Sequence, residues 1–215
     1  MFLRLLFRFL PAQLSLIVTL AFALLACGFM AQPLQGRIGD SQRTVEYRLI
    51  RGGHAIAYDD PYFQQKRDRA PYSSYIDYMP EGAELVIYYK RIGTGKPSTR
   101  QIEAAEGKLP GWDLHVIYHK GKSVLEYYER SSGLTEPETN GLLARQQGDS
   151  HWERVKKGER EPSIFGYDLV RADDQVRART MGKGILFVTS GFDMFLAKER
   201  ERVQNEDAPE SLEGF

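Results

Sequence analysis

No charged side chain occurs between Arg8 and Arg37, and within that gap Leu14–Met30 reads LSLIVTLAFALLACGFM. An apolar run of about 17–20 residues is long enough to cross the hydrocarbon core of a bilayer as a helix. Arg4 and Arg8 precede the run, and no acidic residue occurs before Asp40. Positive charge stays on the cytoplasmic side, so the expected orientation is N-terminus in and remainder translocated. A basic start, an apolar middle and a small-residue end also describe a secretory signal, and the two readings differ only in whether a peptidase cuts. Residues 1–31 are therefore read as a signal peptide or membrane anchor, and the fold has to be built from residue 32 onward.

Leu24-Leu25-Ala26-Cys27 resembles a bacterial lipoprotein signal. In that family a small residue precedes a cysteine that is lipidated and becomes the mature N-terminus, which makes Cys27 a lipidation candidate. Two alternatives stay open. Cys27 can be one more small apolar residue of an uncleaved anchor, or a peptidase can cut after Gly28, with Ala26 and Gly28 as the small pair. All three place the rest of the chain outside the cytoplasm, in the periplasm or at the cell surface.

The remainder is enough for one domain with a single core. Arg4 and Arg8 belong to the leader, which leaves 27 basic against 29 acidic side chains. That balance gives no electrostatic case for nucleic acid. Cys27 is the only cysteine, so the exported part has no disulfide, thiol nucleophile or thiolate metal site and relies on its core alone.

Residues 32–43, rich in Gly, Pro, Ser and polar side chains, read as a tether, and residues 44–205 as the domain. Val45, Tyr47 and Leu49 alternate with Glu46 and Arg48, which predicts a strand; Gly52-Gly53 then turns the chain back into His54–Tyr58 as a hairpin. Asp59–Gly82 breaks the pattern with three prolines and reads as a long loop carrying Tyr62, Tyr72, Tyr75 and Tyr78. Such tyrosines suit recognition, and they equally suit a lid that folds back over the sheet. Ala83–Arg91 is an apolar run expected as a central strand. Further strands are expected at 113–119, 123–130, 164–171, 175–181 and 184–189. Ser98/Gln101, Thr135/Glu138 and Ser190/Asp193 each mark a capping box and the start of a helix. From Glu206 the chain is acidic, without periodicity, and reads as a disordered tail. Val-Ile-Tyr-Xaa-Lys occurs at Val86–Lys90 and again at Val116–Lys120, a lead towards an internal repeat of strands followed by a helix.

The motifs that could carry chemistry are incomplete. Gly93-Thr94-Gly95-Lys96 lacks the first glycine of a phosphate-binding loop, and Pro97 stands where the Ser/Thr and its N–H donor should be. His115 and His119 share a strand face but lie about 13 Å apart along it, too far for one metal ion without His54 or His151 and a carboxylate. Asp59-Asp60, and Glu126 with Glu129, are the obvious carboxylates, yet paired acids do acid/base work only when burial or a like charge separates their pKa values. Arg177 and Arg179 share a strand face and Arg171 ends the preceding strand, a strip able to meet an anionic ligand. No nucleophile elbow, zinc-protease helix or calcium loop is present.

The expectation is an α+β domain: an antiparallel sheet of about six to seven strands with two or three helices on one face, preceded by the membrane-targeting helix. Its function reads as a non-enzymatic binding or structural module of the cell envelope, with an envelope protein or polymer as partner and no metal, cofactor or nucleic acid. The ligand-binding candidates are the four tyrosines and three arginines just named. Two alternatives are an extracytoplasmic, hydrolase-like enzyme using Asp59, Asp60 and a histidine, and an accessory subunit of an inner-membrane complex.

Overall fold

The computed structural model describes residues 37–52, 55–58, 62–92, 98–105, 109–156, 158 and 160–206. The described residues belong to one compact unit. The leader with Cys27, His54, Asp59, Asp60, the segment 93–97 and the tail beyond Glu206 lie outside the described residues. Among the described residues no helix is long and apolar enough to cross a membrane.

Among the described residues eight strands form one fully antiparallel sheet. They are β1 (Ile56–Ala57), β2 (Glu84–Arg91), β3 (Gly111–His119), β4 (Lys122–Arg130), β5 (Trp152–Arg154), β6 (Leu169–Arg171), β7 (Val176–Met181) and β8 (Gly184–Thr189). Their order, β1-β2-β3-β4-β8-β7-β6-β5, joins two four-stranded meanders through the β4–β8 pair. The count exceeds the expected six to seven because β1 and β5 are short edge strands of two and three residues. β2 lies next to that edge rather than at the centre. The two copies of Val-Ile-Tyr-Xaa-Lys sit on neighbouring antiparallel strands, with Val86 directly opposite Val116.

Helices cover both faces, not one. On the first face α5 (Ser190–Glu206) packs Phe192 and Leu196 against Ile117, Leu125, Leu186 and Val188, together with a 3-10 turn at Ser73–Tyr78. Beside them α2 (Tyr62–Arg69) and α3 (Thr99–Ala104) bring Tyr62, Phe63 and Ile102 onto Ile87 and Tyr89. On the second face α1 (Gln42–Glu46) and a π-helical turn (Tyr47–Gly52) set Val45, Leu49 and Ile50 on Tyr88, Leu114, Val116 and Tyr118. α4 (Glu136–Gln147) completes that face with Leu142 against Ala178, Ile185 and Phe187. The reason lies in the central strands: every residue from Asp113 to Tyr118 is buried, as are Ile185 to Val188. Strands apolar on both sides need cover on both sides.

The expected hairpin at 45–58 is therefore a helix followed by a two-residue strand. Ser41 caps α1 by accepting from the Thr44 N–H, and Val45 and Leu49, spaced i and i+4, meet one apolar surface. Residues 37–41, which composition assigns to the tether, are bonded to the domain: Gly39 N–H reaches the Ser123 carbonyl, Ser123 N–H the Asp40 carbonyl, and Ile38 N–H the Gln146 side chain. The loop expected over 59–82 holds α2 and the 3-10 turn. The strand expected at 164–171 is reduced to Leu169–Arg171, because Ile164, Phe165 and Tyr167 are buried from an irregular segment.

Two capping boxes form as expected, at Ser98/Gln101 and Thr135/Glu138. The third does not. Ser190 N–H is spent on the Gln175 carbonyl, and Asp193 turns inward to accept from Ile164 N–H at 3.0 Å and from Arg177 at 2.8 Å.

Candidate functional site

A polar floor lies on the first face where β3 meets β4. Asp113 and His115 alternate onto this face from β3, Glu129 stands directly opposite Asp113, and Tyr127 opposite His115. β2 adds Tyr89 across from Asp113 and Ile87 across from His115. The register that makes these pairs is set by a bulge. The two-residue turn Lys120-Gly121, both residues at positive φ, pairs His119 with Lys122. Val124 is then an extra residue on β4, and the shift it causes places Glu129, not Tyr128, opposite Asp113. Gly111 and Gly184 frame the floor: a Cβ there would lie 2.5 Å from the Tyr89 ring and 2.6 Å from the Tyr127 ring, respectively. Only glycine lets those rings lie across the neighbouring strand.

Over this floor α2 brings Lys66, the turn after it brings Tyr72, and Tyr58 comes from the chain just after β1. Lys66 Nζ lies 2.5 Å from Asp113 Oδ2 and over the Tyr58 ring. Tyr58 borders Asp113, and its hydroxyl helps stabilise the carboxylate charge. Tyr72, fully buried, places its hydroxyl 2.6 Å from His115 Nδ1, and the Tyr72 and Tyr127 rings meet the imidazole edge-on.

Burial dominates the electrostatics. It pushes the His115 pKa down to about 3, with the Lys66 charge acting in the same direction, so the imidazole is neutral near pH 7. Burial raises the Asp113 carboxyl, and Lys66 and Tyr58 pull it part of the way back. Glu129 is raised by its own burial and by the charge of Asp113, against Lys66, Lys183 and Arg69. The phenols of Tyr58, Tyr72 and Tyr127 are all raised, chiefly by burial.

Two atoms of the floor are enclosed without a hydrogen-bond partner, His115 Nε2 and Asp113 Oδ1. The tautomer follows from counting donors. Tyr72 has one hydroxyl proton and His115 Nδ1 as its hydrogen-bond partner. If Tyr72 donates, Nε2 carries the ring proton and one donor is unmatched; the reverse arrangement would leave two groups unmatched. The floor therefore encloses an N–H donor and a carboxylate oxygen, each without a partner. The two residues are i and i+2 on one strand face, their Cα atoms roughly 7 Å apart.

The other singled-out residues are dispersed. Tyr62, Tyr75 and Tyr78 are half-buried against the first-face core, and Tyr72 is wholly inside it, so the tyrosines act as the lid rather than as a free surface. The arginine strip is not a strip. Arg177 is buried, holding Asp193, Glu161 and the Pro162 carbonyl and stacking on Tyr167. Arg179 bonds the Phe165 carbonyl. Arg171 lies on the opposite face, bonded to Asp173 and to the Gln146 carbonyl of α4. Ion pairing and local carbonyls consume their donors, which solvent would have done on an uncovered sheet.

Glu126 is buried on the second face and accepts from Tyr128 and from Gln146, which in turn receives Ile38 N–H. His119 is half-buried beside the β3–β4 turn, and His151 is exposed and pairs with Glu153. Among the described residues no group of three or more His, Asp or Glu is placed to hold a metal ion. His115, Glu129 and Tyr72 were singled out in the sequence; Lys66 and Asp113 were not, because only the fold of residues 62–78 brings α2 and Tyr72 over β3. Compared with family models, curated proteins and solved structures, the chain finds no match in any of the three.

Proposed function

We propose that this chain is a membrane-targeted, extracytoplasmic binding domain of the cell envelope, not an enzyme, and that it engages an envelope protein or polymer at the β3–β4 floor. The leader supports the location. One observation carries the binding reading: His115 Nε2 and Asp113 Oδ1, from one face of β3, are each enclosed without a partner. Each such group costs about 1–3 kcal/mol when left unmatched, and native folds keep few of them without a use. A ligand that supplies the missing partners accounts for both. Lys66 and Glu129, which flank Asp113, are each partly exposed.

The test is site-specific photocross-linking in native envelopes. A photoreactive residue at Glu129 yields a discrete adduct with an envelope component, and the same residue at Asn140, exposed on α4, yields none. Equal labelling from both positions, or none from Glu129, contradicts the reading.

A second reading, an extracytoplasmic enzyme, draws on one observation. Asp113 faces Glu129 across the strands, and burial raises both carboxyls, the condition under which paired acids exchange protons near neutrality. Turnover of the cross-linked component by the wild type but not by Asp113→Asn would carry it.

A further inference from the structure

We propose that the outward side of the helix Gln42–Gly52 docks on anionic phospholipid headgroups of the bilayer that the leader targets, with Arg43 and Arg51 on phosphates and Tyr47 at headgroup level. This rests on the membrane-targeted reading above and adds a surface by which the domain meets that membrane. α1 runs without a break into the π-helical turn Tyr47–Gly52. Val45, Leu49 and Ile50 hold the inner side of this helix on the sheet. Arg43, Tyr47 and Arg51 recur at i, i+4 and i+8 on the side left outside, and all three are exposed. Tyr47, 65% exposed, is the most exposed large hydrophobic residue among those described.

Charge complementarity selects the occupant. The two acids of residues 37–52 are engaged elsewhere: Asp40 pairs with Arg48, and Glu46 accepts from Gln42 and from Tyr88 of β2. Arg43 and Arg51 form no ion pair among the described residues. Ser41, the N-cap of α1, bridges to exposed Lys122, which adds its charge within a Debye length, about 10 Å, of the helix start. Guanidinium groups bond phosphate oxygens two at a time. A tyrosine offers an apolar ring and a hydroxyl, the combination that sits at a membrane–water interface. An exposed ring flanked by two unpaired arginines therefore matches an anionic lipid surface. The chain also delivers the helix there: in sequence only residues 31–41 separate the apolar run from α1, at most about 40 Å when extended. A leader held in the bilayer keeps the helix at high effective concentration over the lipid.

The experiment reconstitutes the full chain, leader included, into nanodiscs of phosphatidylcholine alone or of phosphatidylcholine and phosphatidylglycerol in equal parts. Each disc carries a trace of gadolinium-chelating lipid. Fluorotyrosine replaces Tyr47 or, as a control, Tyr78, which is half-buried on the first face, and fluorine NMR reads the broadening. The expected result is a broadened Tyr47 signal in the anionic discs that is lost in neutral discs and at high salt, with Tyr78 sharp throughout. Arg43→Glu with Arg51→Glu removes the Tyr47 broadening while the chain still co-elutes with the discs. Both substitutions are at exposed positions, and an unmoved Tyr78 signal reports an intact fold; the comparison of lipids decides the matter without the variant. Broadening that ignores lipid charge, that appears equally at Tyr78, or that survives the double substitution overturns the proposal. A chain that co-elutes with the discs while Tyr47 responds to neither lipid overturns the docking surface and leaves the membrane-targeted reading standing. A chain that co-elutes with neither disc overturns both.

Discussion

Tyr72 and His115 fix each other's state, and that mutual dependence can be read in stability. Tyr72→Phe leaves His115 Nδ1 enclosed and unpaired, and His115→Phe leaves the Tyr72 hydroxyl so; each loses about 1–3 kcal/mol. The double variant Tyr72→Phe/His115→Phe removes both partners together with the unmatched Nε2, and is expected to be more stable in urea unfolding than either single variant. A double variant as weak as the sum of the singles would contradict the pairing. The same imidazole sets an acid limb. Its folded pKa, about 3, lies below the ordinary value of about 6.5, so between those values the unfolded chain binds the extra proton. Stability therefore falls as pH drops from about 6.5 towards 3. The raised carboxyls of Asp113, Glu129 and Glu126 act in the opposite sense, gaining stability as pH falls through their folded values. The His115 share is isolated by comparison: His115→Phe is expected to show a flatter acid limb than the wild type.

At the scale of elements, the β7–α5 contact turns on one enclosed ion pair. Arg177 and Asp193 are buried on both sides, and Glu161, mostly exposed, adds little. Arg177→Met strands the Asp193 carboxylate and costs about 3–5 kcal/mol, whereas Arg177→Met with Asp193→Leu recovers most of that loss. Thermal unfolding of the three chains checks the order. This pair also marks where the sequence misleads. Ser190 with Asp193 has the spacing of a capping box, yet Asp193 spends its oxygens on Arg177 and Ile164, partners far away along the chain. By contrast the two boxes at exposed helix starts form, since local polar groups there have no stronger competitor. Val45–Leu49 fits both a strand period and an i, i+4 pair over so short a window, and the apolar patch of Tyr88, Leu114 and Val116 chose the helix. β2, the β3–β4 hairpin and β8 were legible because long runs of β-branched and aromatic residues leave no alternative. The floor was half legible: His115 and Glu129 stood out, but a plain two-residue hairpin pairs Asp113 with Tyr128, and only the extra Val124 corrects the register.

At the scale of the molecule, a leader is proposed from the sequence, and the sheet, covered on both faces, holds a polar floor on the first. Intact mass of the chain from native membranes separates the fates of the leader. A mature chain beginning at Cys27 with added acyl mass, lost in Cys27→Ala, marks the lipoprotein; a full-length unmodified chain marks a retained anchor and opens the reading as an accessory subunit of an inner-membrane complex. Both agree with the proposed extracytoplasmic location, which one measurement tests directly. Lys120 and Lys122 are exposed at the β3–β4 turn, within reach of an amine reagent that cannot cross the cytoplasmic membrane. Both are expected to be labelled in cells whose cytoplasmic membrane is intact; labelling only after that membrane is broken would contradict an extracytoplasmic domain.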